Sequence, residues 1–486
     1  MHKPQNDDER EEVASAAPQE PEAQAEPQEP EAQAEPAPEE KKAKAGEKKA
    51  KSKPKKAKTE KKKAESEEKK PENEEQPGAT RPRPYLFWVM AAVLVLAVIT
   101  GAAFIIYFST RGPRYVLHEM VLFNEGLMPV AKEQEDGSLL WGYINEEGAF
   151  AISPAFGAAG AFSSNGLAPA QNKTTGKWGY INREGQFAIE AKYEMAESFY
   201  GTKFAAVRIN DAWGYITADG KQVINPQFDA AYAFSANGLA RVRLGTKYGY
   251  INRTGVYVIT PRFEDAEDFD KKGYAAVQEF GRWGLIDKNG DYQVNPQFEG
   301  IASFADNGLA RVKLGDKYGF IDRSGNYLIE AVYDDAGSFS EGLAYVAVDG
   351  KYGYINKKGE VVIPLKYAAA LDFSGDGLAA VRTEEDKWGY INKKGEIALR
   401  AVYEAAGNFR FGIAGVQKEG AWYYIDTAGK TLFTLPDTTV VASPFFADKH
   451  AVVQLTDEFG ADVYIFYSTK GRVGTKTYDA FVISYN

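Results

Sequence analysis

A repeat of about 35 residues runs through most of the chain and constrains its fold more than any other feature. Successive copies carry tryptophan or tyrosine at one position, usually followed by glycine, at spacings of 37, 35, 35, 35, 35, 34 and 36 residues. A ninth copy begins at Trp422, where Tyr423 replaces the glycine, and a degenerate tenth begins at Tyr464. Periods of roughly 20–50 residues indicate units that bury their apolar faces against one another. The first eight motif aromatics are Trp141, Trp178, Trp213, Tyr248, Trp283, Tyr318, Tyr352 and Trp388.

The fourth copy shows how one unit is expected to fold. Leu239–Leu244 alternates apolar and polar residues, as a half-buried strand does, and Tyr248–Asn252 forms a second strand after a short turn. A third strand, Val256–Thr260, is expected to end at Pro261, because proline cannot donate a hydrogen bond to the sheet. The sequence therefore predicts an all-β array of about ten units, each with three antiparallel strands.

A glycine stands seven residues after the motif aromatic in every copy and closes the hairpin between the second and third strands. Asn or Asp usually stands three residues before it, which favours a type I turn followed by a glycine in the left-handed conformation. We therefore expect each of these glycines to have a positive φ. They are Gly148, Gly185, Gly220, Gly255, Gly290, Gly325, Gly359, Gly395, Gly429 and Gly471.

Two more aromatic positions lie in the connector between units, fifteen and twenty-one residues after the motif aromatic. A three-stranded unit cannot bury such rings alone, and each brings roughly 150–250 Å² of surface, so we expect them to form the core between neighbouring units. The alternative, an aromatic cage for a ligand at one or two positions, stays open. The first set is Phe156, Tyr193, Phe228, Phe263, Phe298, Tyr333, Tyr367 and Tyr403. The second is Phe162, Phe199, Phe234, Phe269, Phe304, Phe339, Phe373 and Phe409.

The two ends of the array are complementary. It begins with Phe123–Leu127, a strand without the connector that normally precedes it, and it ends with Thr477–Phe481, a connector without the strand that normally follows. A propeller-like ring would join these ends, whereas an open β superhelix would leave them as weaker terminal units. Both arrangements fit the repeat, and the complementary ends favour the ring.

These copies resemble the bacterial WG-repeat family. The resemblance is carried by segments such as WGYINREGQ (178–186), YGYINKKGEVVIP (352–364) and FSEGLAYV (339–346), and it spans roughly residues 121–474. It implies an all-β tandem repeat without a known catalytic constellation, in a family largely of undefined function. The chain departs from the pattern where Lys203 and Phe204 replace Gly-Leu, at the Trp422–Tyr423 copy and in the eroded last unit.

Residues 1–84 contain almost no large apolar side chains, so they are expected to form a disordered tail. The tail is acidic from residue 7 to 40 and lysine-rich from residue 41 to 63. The lysine-rich tract is interpreted either as a passive spacer or as a contact to anionic lipid, and no nucleic-acid partner is expected.

Residues 85–108 form an apolar segment without a single charge, long enough as a helix to cross a hydrocarbon core of about 30 Å. The lipid bilayer is therefore a predicted partner through Tyr85–Phe108. Cations are denser before this segment than after it, so the positive-inside tendency predicts a single-pass protein of the cell membrane with a cytoplasmic N-terminus. A stalk at 109–120 and an extracellular repeat domain at 121–486 would follow.

The composition leaves little room for catalysis. The chain has no cysteine and only three histidines (His2, His118 and His450), which excludes disulfides, thiol chemistry and cysteine-ligated metals. Carboxylates follow the connector aromatic in six copies and are the one recurring acidic feature suited to glycoside hydrolysis or calcium binding. Groups repeated in every unit are usually structural, so we interpret them as turn acceptors. They are Glu194, Asp229, Glu264, Glu299, Asp334 and Glu404.

The sequence therefore predicts no enzyme and assigns no catalytic, cofactor-binding or metal-binding residue. It predicts a membrane-anchored envelope protein that presents a binding or scaffold surface, with another envelope protein or a cell-wall glycan as the ligand. Two alternatives remain: a receptor that passes a signal to the cytoplasmic tail, and a glycan hydrolase. A receptor would need an effector domain that the tail does not show, and a hydrolase would need one copy with a unique cluster of acids.

Overall fold

The computed structural model describes residues 120–199, 203–481 and 484–485, and the regular structure in these ranges is all β-strand. No helix in this part of the chain is long and apolar enough to cross a membrane. The predicted tail, the predicted membrane-spanning segment Tyr85–Phe108 and the predicted stalk up to residue 119 lie outside the described residues.

The described residues form ten units, and in units 3 to 10 each unit is a sheet in which one short strand is followed by three long strands, paired antiparallel in chain order. The three predicted strands of each unit are present, but the prediction was incomplete because a fourth, short strand comes from the connector. This strand is only two residues long in most units, too short to leave an alternating pattern in the sequence. In the first two units Phe150–Ala159 serves both as third strand and as short strand, which merges these units into one seven-stranded sheet.

The strand bounds repeat closely from unit to unit. The short strands of units 3 to 10 are Met195–Ala196, Ala230–Phe234, Asp265–Ala266, Gly300–Ile301, Asp335–Ala336, Ala369–Ala370, Ala405–Ala406 and Thr439–Ala442. The first strands are Leu127–Glu133, Ala168–Asn172, Phe204–Ile209, Ala240–Leu244, Tyr274–Glu279, Ala310–Leu314, Leu343–Val348, Leu378–Arg382, Ile413–Lys418 and His450–Thr456. The second strands are Leu139–Asn145, Trp178–Ile181, Ala212–Thr217, Lys247–Ile251, Arg282–Asp287, Lys317–Ile321, Lys351–Asn356, Trp388–Asn392, Ala421–Asp426 and Asp462–Ser468. The third strands are Phe150–Ala159, Phe187–Tyr193, Gln222–Phe228, Tyr257–Phe263, Tyr292–Phe298, Tyr327–Tyr333, Val361–Tyr367, Ile397–Tyr403, Thr431–Thr434 and Gly471–Tyr478.

The glycine after the motif aromatic is required by a bulge in the third strand. In unit 4, Tyr248 lies opposite Phe263, but two residues further on the partner is already Ile259, so the third strand carries two extra residues at this point. An ideal Cβ on Gly249 would lie 2.5 Å from the carbonyl oxygen of Ile259 and 2.6 Å from the nitrogen of Pro261. Only glycine lets the bulged backbone approach this closely.

The expectation that Pro261 ends the third strand was wrong, because the strand runs through it, from Tyr257 to Phe263. The proline lies in the bulge, between the paired residues Ile259 and Phe263, where the ladder is interrupted and no donor is needed. Unit 9 shows the converse. There Tyr423 stands in place of the glycine and pairs directly with Thr434, so the bulge at this position is missing, and the third strand is shortened to Thr431–Thr434.

The hairpin glycines have positive φ in all ten units, as predicted, from 76° to 89° in the first nine and 136° at Gly471. They also contact the preceding unit. A Cβ on Gly255 would lie 2.9 Å from the Cγ2 atom of Ile224, which belongs to the third strand of unit 3. The same contact recurs around the array, so these glycines set both the turn and the close approach of neighbouring units.

The core lies between the units, as the connector aromatics predicted. Phe228 of unit 3 shares a buried cluster with Phe234, Val242 and Ile251 of unit 4, and equivalent clusters form at the other junctions. All sixteen connector aromatics are buried except Phe304 and Tyr333, which are half-buried. Their predicted role as inter-unit core is confirmed.

A buried tyrosine two residues after the motif aromatic also ties one unit to the next. The Tyr215 hydroxyl donates a hydrogen bond of 2.8 Å to the carbonyl of Tyr232, in the short strand of the following unit. Six more tyrosines make the same bond at 2.5–2.9 Å: Tyr143, Tyr180, Tyr250, Tyr354, Tyr390 and Tyr424. Burial raises the pKa of Tyr215 above its usual value.

The array closes into a ring. The connector segment Ala480–Phe481 supplies the missing short strand of unit 1, since Ala480 pairs with Ala131 and Phe481 with Val130. Buried side chains of both ends, including Met128 and Phe466, share one core cluster. Of the two arrangements left open by the sequence, the closed ring is therefore the one observed.

Candidate functional site

The ring has two different faces, defined by which turns they carry. The fixed face carries the turns between the second and third strands, which keep the same length and a closing glycine in units 1 to 9 and shorten to two residues in unit 10. The variable face carries the turns between the first and second strands, which range from the two-residue turn Gly245–Thr246 to five residues at Gln134–Ser138. The largest differences in turn length among the repeats thus lie on the variable face.

The connector acids predicted as turn acceptors lie on the variable face and fill that role. Glu264, at the end of unit 4, accepts a hydrogen bond of 2.7 Å from the backbone N–H of Gly281 in the turn of unit 5. All six make this bond to the turn of the following unit, and Asp479 does so across the ring closure, to the N–H of Glu133. Their position explains why they recur.

Two variable-face turns expose large aromatic side chains. Phe280 in unit 5 and Phe459 in unit 10 are each 86% exposed at the tip of the turn. The two rings lie in units 5 and 10 and are single exposed side chains, so each offers one apolar contact point for a partner. Most of the remaining turns on this face carry acidic residues, such as Glu384, Glu385 and Asp386 in unit 8.

One position of the first strand faces the buried residue two places after the motif aromatic, and in seven units it is alanine, glycine, proline or valine. Units 4, 6 and 7 depart from this with Arg241, Arg311 and Tyr345. In unit 4 the position is Arg241, which pairs with Tyr250. Its Nε lies 3.0 Å from Oδ1 of Asp268, and an Nη atom donates to the carbonyl of Ala266. The guanidinium carbon lies 3.8 Å from the centre of the Tyr232 ring. The junction of units 4 and 5 is thus filled by an internal cation held by a carboxylate, a carbonyl and an aromatic ring.

The junction of units 7 and 8 has an aspartate at the same place, but it lacks the cation, and Gly337 stands where unit 4 has Tyr232. Asp372 stands two residues after Ala370 of the short strand, as Asp268 stands two residues after Ala266, but the first-strand position is Tyr345. Oδ1 of Asp372 is shielded from water and has no hydrogen-bond partner among the described residues. An ideal Cβ on Gly337 would lie 2.2 Å from this oxygen, so glycine is needed beneath the carboxyl group.

Other charged and aromatic groups surround this carboxyl group. Tyr352 donates a hydrogen bond of 3.1 Å to Oδ2 of Asp335, and its ring lies 5.9 Å from that of Tyr345. Arg311 of unit 6 donates to the carbonyl of Ala336. Burial raises the pKa of Asp372 to about 7, an effect that Arg311 opposes and Asp335 reinforces. Burial also raises the pKa of Tyr345 well above its usual value.

Unit 9 adjoins a cleft of about 290 Å³ at the junction with unit 8. It opens where Tyr423 replaces the motif glycine and the third strand is short. Its lining combines Tyr403, Tyr423 and Ile425 with the charged side chains of Lys418 and Glu419. The departure at Trp422–Tyr423 is therefore a local change of shape as well as of sequence.

His450 lies at the seam of the ring. Asp448 accepts hydrogen bonds of 2.8 and 2.7 Å from the backbone N–H groups of Leu122 and Phe123, and Nδ1 of His450 lies 3.3 Å from the same carboxylate oxygen. The Phe123 ring packs against the imidazole at a tilt, with ring centres 4.5 Å apart. This histidine therefore belongs to ring closure. His118 lies outside the described residues.

In the described part of the chain, no group of three or more His, Asp or Glu side chains is placed to hold a metal ion. The sequence reasoning passed over the Asp372 junction, because one unpaired aspartate does not stand out in a chain with 68 acidic residues. Aligning the repeats by their short strands would have shown it, since Asp268 and Asp372 share one position while the facing first-strand position changes from Arg241 to Tyr345.

The profile of the WG containing repeat family matches eight consecutive segments, together more than half of the chain. These are residues 141–174, 178–211, 213–248, 248–281, 283–318, 318–352, 352–388 and 388–422. The chain belongs to this family. A comparison with curated proteins found no significant match.

Several solved structures are similar at low identity. A crystal structure of the eukaryotic initiation factor has a TM-score of 0.41 at 9% identity, covering 74% of this chain and 98% of that one. Kluyveromyces lactis Hsv2 has a TM-score of 0.30 at 9% identity, covering 51% and 94%. The extracellular domain of the putative one component system BT4673 from B. thetaiotaomicron has a TM-score of 0.27 at 9% identity, covering 74% and 64%. Likenesses at these scores carry no argument about function.

Proposed function

We propose that this member of the WG containing repeat family is a non-catalytic, membrane-anchored envelope protein whose ring presents a binding or scaffold surface outside the cytoplasm. The observation that carries the proposal is the division of the ring into a fixed and a variable face. In repeat proteins, differences between units concentrate on the face that contacts the partner. The exposed rings of Phe280 and Phe459 lie on that face.

Two further observations support a binding role over chemistry. The recurring polar groups, which would be the first candidates for catalysis, are engaged in the construction of the ring: the connector acids hold turns and the buried tyrosines hold neighbouring strands. A closed ring of small units is also a rigid support, because each unit is held on both sides. Rigid surfaces bind with a smaller loss of conformational entropy than mobile ones.

The support for the proposed membrane anchor comes from the sequence alone. Residues 85–108 carry no charge and are long enough to span a bilayer, and the cations before them favour a cytoplasmic N-terminus. Protease added to intact cells is expected to remove the repeats and spare the tail. Protection of the repeats in intact cells, with digestion after lysis, would contradict this orientation.

The binding role is tested by capture from envelope extract with the full chain as bait. Phe280→Ser and Phe459→Ser change the variable face, and Val256→Ser, a 60% exposed position on the fixed face, is the matched control. We expect a partner that the wild type and Val256→Ser retain, and that at least one phenylalanine variant loses. Equal capture by all variants would contradict a binding site on the variable face.

A further inference from the structure

We propose that one side of the ring, at units 7 and 8, lies on the membrane surface and binds anionic lipid. The inference rests on the membrane anchor of the proposed function, and it names the part of the ring that meets the bilayer. This part consists of the fixed-face turns of the two units and the third strands that follow them, residues 357–366 and 393–402. We call it the basic rim.

The basic rim carries positive charge on an otherwise acidic protein. Each of its two turns holds a pair of lysines, Lys357–Lys358 and Lys393–Lys394, whereas the turn of unit 1 holds Glu146 and Glu147 at the same positions. No other fixed-face turn in the described part of the chain holds two basic residues. Six basic and two acidic residues give the basic rim a net charge of +4, in a chain with a net charge of −10. All six basic side chains are exposed, so they are accessible to an anionic surface.

The fold makes little use of these cations. Nζ of Lys393 lies 2.8 Å from Oε2 of Glu341, but both side chains are about two-fifths exposed, and an ion pair this open to water is weak. Lys357, Lys358 and Lys394 form no ion pair with the residues that the structure describes. The two acids of the basic rim accept hydrogen bonds from the asparagines that begin the turns. The lysines are therefore available to bind an external anion.

Large apolar side chains are exposed next to these lysines. The most exposed is Ile397 of unit 8, at 71%, and the third strand of unit 7 exposes Val361 and Val362. In all, the third strands of units 6 to 9 expose seven large apolar side chains, against two in the third strands of the other six units. The seven are Leu328, Val332, Val361, Val362, Ile397, Val402 and Leu432.

Contacts between units bring the lysines and the apolar side chains together. A Cβ on Gly395 would lie 3.2 Å from Cγ2 of Ile363, so the lysine turn of unit 8 packs against the third strand of unit 7 and its exposed valines. A Cβ on Gly359 would lie 3.4 Å from Cγ1 of Ile329, so the lysine turn of unit 7 packs against the third strand of unit 6, beside Leu328. Basic turns and exposed aliphatic strands therefore alternate along this side of the ring.

A membrane surface suits both kinds of side chain. Anionic headgroups attract lysines, and the apolar boundary beneath them accepts aliphatic side chains. A soluble polyanion would bind the lysines but leave the aliphatic side chains in water. The predicted anchor also keeps the ring close to the bilayer, because only residues 109–119 separate the two, and eleven residues extend at most about 40 Å. Since the two kinds of turn lie at opposite ends of the second strands, this contact directs the variable face away from the membrane.

The test places one fluorescent label on the full chain in lipid vesicles. The chain has no cysteine, so Val362→Cys and Val258→Cys each create a single site for the environment-sensitive dye NBD. The two valines stand at the same position of units 7 and 4 and are 40% and 42% exposed, which makes them a matched pair.

In vesicles that contain phosphatidylglycerol, we expect the label of Val362→Cys to emit at shorter wavelength and to be quenched by lipids brominated in the acyl chain. The label of Val258→Cys is expected to remain in water. An equal response of the two labels would overturn the proposal.

The contribution of charge is tested in the Val362→Cys chain by changing all four turn lysines (Lys357, Lys358, Lys393 and Lys394) to glutamine. Quenching should fall at least twofold, as it should in phosphatidylcholine alone and at high salt, because salt screens the attraction. Glu146→Gln with Glu147→Gln, in the corresponding turn of unit 1, is the control and should leave quenching unchanged. A melting temperature within a few degrees of the parent chain shows that each variant is folded. Unchanged quenching after loss of the four lysines would overturn the proposal.

Flotation of the full chain with vesicles separates this failure from failure of the anchor. A chain that floats with phosphatidylcholine vesicles, but whose Val362→Cys label stays in water in anionic vesicles, keeps the anchor and overturns the lipid contact. A chain that does not float with phosphatidylcholine vesicles contradicts the anchor. In that case the label in anionic vesicles still decides on the lipid contact by itself.

Discussion

Alanine substitutions at three glycines of unit 4 separate the cost of backbone strain from the cost of steric overlap. We expect the substitution at Gly249, the glycine directly after the motif aromatic, to destabilise the fold most. Gly245 has a φ of 60° and open space around an added Cβ, so Gly245→Ala tests backbone strain alone. Gly255 has a φ of 83° and would meet Cγ2 of Ile224 at 2.9 Å. Gly249 has no positive φ, but its Cβ would meet the carbonyl oxygen of Ile259 at 2.5 Å.

The magnitudes follow from what each Cβ would meet. An alanine held in the left-handed backbone conformation costs about 1–2 kcal/mol. This is the whole loss in free energy of unfolding that we expect for Gly245→Ala. Gly255→Ala adds the displacement of one flexible side chain, for a total of about 2–3 kcal/mol. At Gly249 the obstacle is backbone, and an ordinary contact of 3.4 Å requires the third strand to move by about 0.9 Å. We expect Gly249→Ala to cost about 3 kcal/mol or more, the upper end of overpacking costs.

The assay is urea unfolding of the full chain followed by tryptophan fluorescence, with hydrogen exchange to locate the damage. Gly249→Ala should lower the free energy of unfolding most, and exchange should increase first at the third strand Tyr257–Phe263. Unit 9 indicates the structural outcome, because Tyr423 at the same position has lost this bulge. The reasoning is refuted if Gly249→Ala costs no more than Gly245→Ala.

Three further predictions concern the contacts between units. Tyr215→Phe leaves the buried carbonyl of Tyr232 without its donor and should cost about 1–3 kcal/mol in urea unfolding; a change within error would show that water replaces the hydroxyl. Asp448→Ala should speed amide exchange at Leu122 and Phe123 while leaving units 4 to 6 unchanged; unaltered exchange at both amides would contradict the role of this carboxylate at the seam. Burial raises the pKa of six inter-unit tyrosines, so they stay neutral in the fold when those of the unfolded chain ionise; these are Tyr143, Tyr215, Tyr250, Tyr354, Tyr390 and Tyr424. Stability should therefore be unaffected by these groups below about pH 10 and should fall as the pH rises above it, and an unfolding midpoint unchanged between pH 9 and pH 11 would contradict this.

The features that the sequence predicted correctly are those that depend on residues within a single repeat. The alternation in Leu239–Leu244 and the fixed position of Gly255 were sufficient for the strands and for the positive φ of the hairpin glycine, because both are local requirements. The short strand was missed, since two residues cannot show a period. The error at Pro261 has a similar cause: proline ends a regular strand, but a bulge removes the need for its missing donor.

The junction around Asp372 could not be predicted from any single copy. Its aspartate becomes unusual only when Tyr345 is compared with Arg241, and that comparison needs the register of the first strand with the short strand of the next unit. The membrane anchor is the opposite case. Its prediction depends on Tyr85–Phe108, which lies outside the described residues, and it remains a prediction from sequence.

Closure of the ring is the central claim, and a single engineered disulfide tests it most directly. The chain has no cysteine, so Ala131→Cys with Ala480→Cys creates one possible pair. These residues face each other across the antiparallel seam, where Cα atoms are about 4.5–5.5 Å apart, within the range that a disulfide bridges. The account predicts that mild oxidation of the folded chain links them nearly completely, seen as a mobility shift on a non-reducing gel and as a cross-linked peptide in mass spectrometry. Two free thiols after oxidation of the folded chain, with accessible cysteines in the unfolded chain, would show that the array is open.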